Sequence, residues 1–230
     1  MYKYEITNKI ENFAPIDTQE EWDCSGWGVD IEDYDNISKV MLCLTVTNDI
    51  IRQAKNQKCD MIISHHPCFY VPLEWSFINI YSAHTNMDKA NGGTTDTIIE
   101  KLGLSEYKAN IEHEFLRIVN YKTTIQDFNN LLKLISPNTR IINSNKVTKL
   151  NKIAFCAGSG SEFISEAKEY GADCLVTGDL KFHTALDSPI IVYDIGHFES
   201  EILILPVFKK IIGDDVKIVY ADEHSPFNLI

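Results

Sequence analysis

Arginine is scarce in this sequence and long apolar runs are missing, and each absence removes a class of function. Only Arg52, Arg117 and Arg140 occur, and 33 acidic against 21 basic residues leave a formal net charge of −12. With no dense basic run anywhere, a phosphate-backbone footprint for DNA or RNA is not expected. No segment approaches the ~18 consecutive apolar residues that cross a bilayer, and residues 1–6 hold no apolar signal core. A cytoplasmic protein is expected. The six cysteines form no C-x-x-C pair and most lie in apolar segments, which reads as small buried thiols in a reducing compartment. There is no G-x-S-x-G elbow, no kinase motif, and no Walker lysine behind Gly158 to Ser161. Serine nucleophiles and phosphoryl transfer therefore lack support.

What is present is the composition of an ordinary packed protein, with 44% hydrophobic and 23% charged residues in 230. That length fits one large domain or two lobes of roughly 100 residues each. An internal repeat points to the second arrangement. Residues 43–64 lie over residues 156–177 without a gap at a constant offset of 113 (156 − 43), with Cys, Ile, Ala, Lys and Asp coinciding. Each copy reads as a short apolar strand, a polar turn, a helix and a second apolar strand: 41–44, 48–57 and 60–64, then 153–156, 161–170 and 173–177. Strands alternating with helices of that length imply βαβ units. The expected fold class is α/β, with two similar, repeat-related lobes whose mostly parallel or mixed sheets are flanked by helices. The expected lobes are 1–115 and 116–230. Between the copies, an amphipathic helix is expected after a cap at Thr123 or Thr124, ending before Pro137. The N-terminal segment predicts a helix over 4–13, followed by an acidic loop over 20–30 that carries Trp22 and Trp27.

Five of the seven histidines fall at or just after predicted strand ends: His65, His66, His84, His183 and His197. Open parallel sheets bind ligands outside the carboxyl ends of their strands. His65 and His66 follow a buried run and precede Pro67, which ends ladder pairing. Neighbours on an extended chain point to opposite sides, so the two rings reach one site only if the chain turns there. The same offset of 113 sets His84 on His197 and Asp88 on Glu201, giving H-x-x-x-[D/E] in both halves after strands predicted at 77–81 and 189–193. Four-residue spacing places both groups on one face of a helix that begins at the histidine. Neutral imidazole with carboxylate suits Zn, Fe, Mn or Ni, and the sequence does not choose among them. A second candidate loop runs from Thr177 to His183. Gly178 would let a backbone approach substrate, Lys181 would meet an anion, and Asp179 with His183 would relay protons. His113 and His224, among acidic neighbours, are expected in solvent.

Taken together these residues resemble the Nif-three-like (YbgI-type) family, widely labelled GTP cyclohydrolase 1 type 2 homologues. The resemblance runs nearly end to end, through Glu20 to Asp23 with Gly26, Asp60 to Pro67, Tyr81 to Asp88, Gly158 to Gly160, Thr177 to His183, and Gly196 to Glu201. It implies two α/β lobes with a metal site in the cleft between them, two divalent metal ions per chain, and a toroidal homohexamer. Carried onto this sequence, the metal ligands fall on His65, His66, Asp88, His197 and Glu201, with His84, Asp179 and His183 lining the same cleft. Thr45 departs from the pattern, standing where many members have aspartate, and the wording around Trp27 to Asp30 also differs. Two functions follow as expectations. One is a metal-dependent hydrolase acting on a nucleotide or related small molecule, with His84 or His183 shuttling protons and Gly178, Asp179 and Lys181 holding substrate. The other is a non-catalytic metal-binding or partner-docking protein.

Overall fold

A computed structural model describes residues 1–227, and the chain forms two compact units, Met1–Gly93 with the segment from Ile204 onward, and Thr94–Leu203. The first unit runs through α1 (Lys3–Phe13), β1 (Gly26–Val29), β2 (Lys39–Cys43), α2 (Asn48–Asn56), β3 (Met61–Ser64), β4 (Asn79–Ser82) and α3 (Thr85–Lys89). The second contains α4 (Thr94–Lys101), β5 (Arg117–Val119), β6 (Thr123–Thr124), α5 (Ile125–Leu132), β7 (Arg140–Ile142), β8 (Lys149–Leu150) and β9 (Ile153–Phe155). It continues with α6 (Ile164–Glu169), β10 (Cys174–Thr177), α7 (Phe182–Asp187), β11 (Ile191–Asp194) and α8 (His197–Glu201). The chain then returns to the first unit with α9 (Leu205–Ile212) and β12 (Lys217–Tyr220). These units divide differently from the expected 1–115 and 116–230. β12 completes the first sheet by pairing in parallel with β2. α4 places Ile98, Ile99 and Leu102 in one core with Val119 and Phe128 of the second unit.

The first sheet has the order β1-β4-β3-β2-β12, parallel throughout except for β1, which lies antiparallel on β4 at the edge. Its central strands are buried along their length, apart from Lys39 at the start of β2, the pattern of a parallel sheet covered on both faces. Met41, Cys43, Ile62 and Ile80 share a core with Ile50, Ile51 and Ala54 of α2. α2 starts where it does because Thr47 Oγ1 accepts from the Ile50 amide at 3.3 Å, satisfying one of the donors a helix start leaves open.

The second sheet, β5-β9-β10-β11-β7, is mixed: β9, β10 and β11 run parallel, and the two edges are antiparallel. Its side chains alternate between two cores, as the period of a strand requires. Ile153, Phe155, Cys174, Val176, Ile191 and Tyr193 pack with α4 and with Phe128 and Leu132 of α5. Ala154, Leu175 and Val192 pack with Ile164 and Ala167 of α6. The cap expected at residue 123 or 124 is Thr124, whose Oγ1 accepts from the Asp127 amide at 3.1 Å. The second-copy helix expected at 161–170 begins as a 3-10 turn, Ser161–Phe163, before α6.

The repeat holds in the backbone pairing of the first two strands of each copy, where Val40 faces Met61 and Ile153 faces Cys174. In the third strands it slips by one. Met61 faces Asn79 but Cys174 faces Ile191, so β4 and β11 correspond at 112 (191 − 79). The second copy therefore has one more residue between strand and histidine, and Gly196, at φ +89°, occupies that turn. No helix among the described residues is long and apolar enough to cross a membrane. The six cysteines are free thiols; Cys43, Cys156 and Cys174 are buried as expected, whereas Cys24 is exposed on the loop before β1.

Candidate metal centre

In the first unit the candidate donors sit at the carboxyl ends of β3 and β4. Ladder bonding carries one step past β3, with the His65 amide on Cys43 O at 3.2 Å and that of His66 on Leu44 O at 2.8 Å. The chain then bends, and Ser64 Oγ donates to His66 O at 2.8 Å. That turn is the condition the sequence set, and it brings the rings of His65 and His66 to 5.2 Å between centroids. His84, from the end of β4, joins them at 5.2 and 5.5 Å. One nitrogen from each of the three lies within 4.8 Å of the others. Asp88, one turn into α3, sets Oδ1 3.4 Å from His65 Nε2.

Each ring is held through Nδ1. His65 Nδ1 lies 2.9 Å from Ala83 O, His66 Nδ1 lies 2.6 Å from Thr45 Oγ1, and His84 Nδ1 lies 3.1 Å from Asp23 Oδ1. A carbonyl or carboxylate oxygen only accepts, so His65 and His84 carry the proton on Nδ1 and present a lone pair at Nε2. Metal-ligating histidines are oriented in this way. Asp23 is itself clamped: Thr85 donates to Oδ2 from Oγ1 at 2.5 Å and from its amide at 3.0 Å, and Ser25 Oγ donates at 3.0 Å. Burial alone would raise the Asp23 carboxyl, but the hydrogen bonds from Thr85 and then His84 hold it at about 2.

The second unit builds its donors on α8, at the carboxyl end of β11. His197 Nε2 lies 2.9 Å from Glu201 Oε2, one helical turn on, so the two share a face as the spacing predicts. His197 Nδ1 meets Asp179 Oδ2 at 2.7 Å. Burial would depress this imidazole, yet the bonds and charge of Glu201 and Asp179 outweigh it and push it up to about 9. Gly158, at φ +62°, leaves the room that Glu201 fills; a Cβ there would stand 2.2 Å from Oε1. Gly178 is needed for the same kind of reason, since its Cβ would meet the His197 amide at 2.8 Å. Asp194 receives the amides of Gly196 and Leu180 at 3.0 and 3.2 Å, fixing the loop that delivers His197.

The chemistry of these donors fits a metal. His65 Nε2 and Asp88 Oδ1 are two acceptors facing each other, and His197 Nε2 with Glu201 holds a proton where a cation is favoured. Both arrangements suit a shared positive ion. Other expected residues are placed differently. His183 is exposed on α7 with its ring against Phe182 at 5.4 Å, and Lys181 is exposed at the start of that helix. His113, expected in solvent, is half-buried: Nδ1 accepts the amides of Phe115 and Leu116 at 3.1 and 2.9 Å, and burial lowers its pKa. His224 is exposed. The orienting roles of Asp23 and Thr45 were missed by residue pattern, because Asp23 lies 61 residues from His84 and Thr45 lies 21 from His66. Glu223 was missed as well. It accepts the Leu44 amide at 2.6 Å, beside Thr45, and burial raises its pKa.

Comparison with known proteins gives a consistent answer. The model of the family described as Duf34/NIF3 (NGG1p interacting factor 3) matches residues 1–226. A Clostridium perfringens protein named GTP cyclohydrolase 1 type 2 homolog is 33% identical, over 98% of each chain. Among solved structures, reduced HcgD from Methanocaldococcus jannaschii superposes with a TM-score of 0.83 at 26% identity, covering 97% of this chain and 98% of its own. The protein ybgI superposes with a TM-score of 0.86 at 16% identity, covering 99% and 100%.

Proposed function

The chain belongs to the Duf34/NIF3 family, and from that premise we propose that it is a metal-dependent hydrolase acting on a nucleotide or related small molecule. His65, His66 and Asp88 with His197 and Glu201 hold two divalent ions in one dinuclear centre. The observation that carries this reading is the common orientation of the ligand histidines: His65, His66 and His197 each engage a protein oxygen through Nδ1, the arrangement that directs Nε2 to a metal. The name of the Clostridium perfringens relative supports a nucleotide as substrate.

When bound, the metals supply Lewis-acid polarisation and activate water near neutral pH. His84 is the better placed of the two proton carriers. Asp23 fixes its Nδ1–H and stabilises the imidazolium formed when Nε2 takes a proton, as the buried carboxylate of a catalytic triad does. His183 on α7 and Lys181 just before it, both exposed, remain open to substrate. The reading extends to the toroidal homohexamer and to the cytoplasm, where six free thiols persist.

The test is metal analysis of the purified protein followed by a broad hydrolysis screen. Turnover abolished by a chelator and restored by one metal is expected. A His65→Ala or Glu201→Gln variant that loses metal and keeps its full rate refutes the mechanism. Metal-dependent capture of a partner without turnover favours the non-catalytic protein.

A further inference from the structure

We infer that Trp22 is a stacking platform for a planar heteroaromatic ring, a nucleobase being the natural case, held beside the metal donors; this rests on the metal-site reading above. Trp22 lies on the tight turn closed by the Asp23 amide on Glu20 O at 3.0 Å. Both ends of that turn are tied to α3. The Glu20 amide donates to Thr85 Oγ1 at 2.9 Å and the Glu20 carboxylate pairs with Lys89 at 2.6 Å, while Asp23 takes the Thr85 hydroxyl and amide. The backbone under the indole is therefore fixed. Yet Trp22 is 61% exposed, so most of the stabilisation that burying it would bring is forgone.

The indole stands against His84, at 5.9 Å between ring centroids and 74° between planes. His84 in turn stands 5.2 and 5.5 Å from His65 and His66. A rigid turn thus presents an aromatic face at the rim of the donor cluster. Ligand sites combine such faces with a few fixed polar anchors. Stacking on an indole tolerates different bases because every base has a π-face, so the metal side supplies the anchor and Trp22 reads ring against no ring.

The inference is tested on the full-length, metal-loaded protein by calorimetric titration with GMP, AMP and ribose 5-phosphate. The last shares the phosphate and sugar and lacks the base. At least one purine nucleotide should bind roughly tenfold or more tighter than ribose 5-phosphate. Trp22→Ala should collapse that ratio to near one, and Trp22→Phe should retain most of it. Metal content, read by mass spectrometry, should be unchanged in both variants. Wild-type protein that holds metal without preferring a nucleotide, or Trp22→Ala that keeps the preference, overturns the stacking role and leaves the metal site standing. Protein that takes up no metal fails the underlying reading instead. A fall in oligomer mass for Trp22→Ala by light scattering overturns the proposal by assigning the indole to a subunit contact.

Discussion

His65 Nδ1 lies 2.9 Å from the carbonyl oxygen of Ala83, and that contact fixes which nitrogen faces Asp88 at 3.4 Å. Ala83 is the residue before His84, so one bond ties the end of β3 to the loop after β4. Replacing His65 with Gln removes the imidazole lone pair and breaks this tie. Metal affinity, measured by competition with a chelating dye, should fall at least ~100-fold, beyond the loss usual for orienting partners. Retained affinity would place the metal elsewhere.

Thr45 offers a gentler version of the same test. Its hydroxyl is 2.6 Å from His66 Nδ1, and Thr45→Val keeps the shape while removing the oxygen. A loss of roughly 10- to 100-fold in metal affinity is expected. Thr45→Asp supplies a stronger acceptor, so it should bind metal at least as well as the wild type. Equal affinity across all three chains would show that His66 is not oriented from this position.

Much of this was legible in the sequence, and the reasons differ residue by residue. The strands and α2 announced themselves through short apolar runs with a helix-length polar stretch between them, because both signals are local, whereas the Thr47 cap emerged only in the fold. The His197–Glu201 pair was readable because both residues lie on one helix, four apart. For His84 and Asp88 the spacing told less than the fold does: α3 brings Asp88 to His65, and His84 meets Asp23. Nothing in a four-residue window reports a partner supplied by a distant loop. The unit boundary was hidden for a related reason. A β12 strand that pairs with β2 leaves no mark on the intervening sequence, and the repeat stops short of it.

Asp23 makes acid stability a readout of the turn that carries Trp22. Its carboxyl sits at about 2 in the folded protein against an ordinary 3.8. A depressed folded value stabilises the protein above the unfolded value, and that contribution is lost as pH falls through the folded one. About 2 kcal/mol should therefore disappear between pH 5 and 2. Asp23→Asn should lose stability at pH 6 and show a flatter acid limb, measured by urea unfolding at a series of pH values. An acid limb parallel to that of the wild type would remove Asp23 from the account.

Gly158 separates the geometry of the second donor pair from the general strain of a left-handed residue. At φ +62° any side chain is disfavoured, and here a Cβ would also stand 2.2 Å from Glu201 Oε1. Gly103 supplies the control, since its φ of +70° carries the same backbone penalty with nothing within 4 Å of a Cβ. Gly103→Ala should cost about 1 kcal/mol of stability and leave the donors alone. Gly158→Ala should cost more and push Glu201 off His197. With that carboxylate displaced, the His197 imidazole loses the partner that contributes most to holding it at about 9, and its NMR titration should move down towards 6.5. Metal affinity should fall with it. If the two alanine variants titrate and bind metal alike, the glycine serves only the turn, and Glu201 does not depend on the space it leaves.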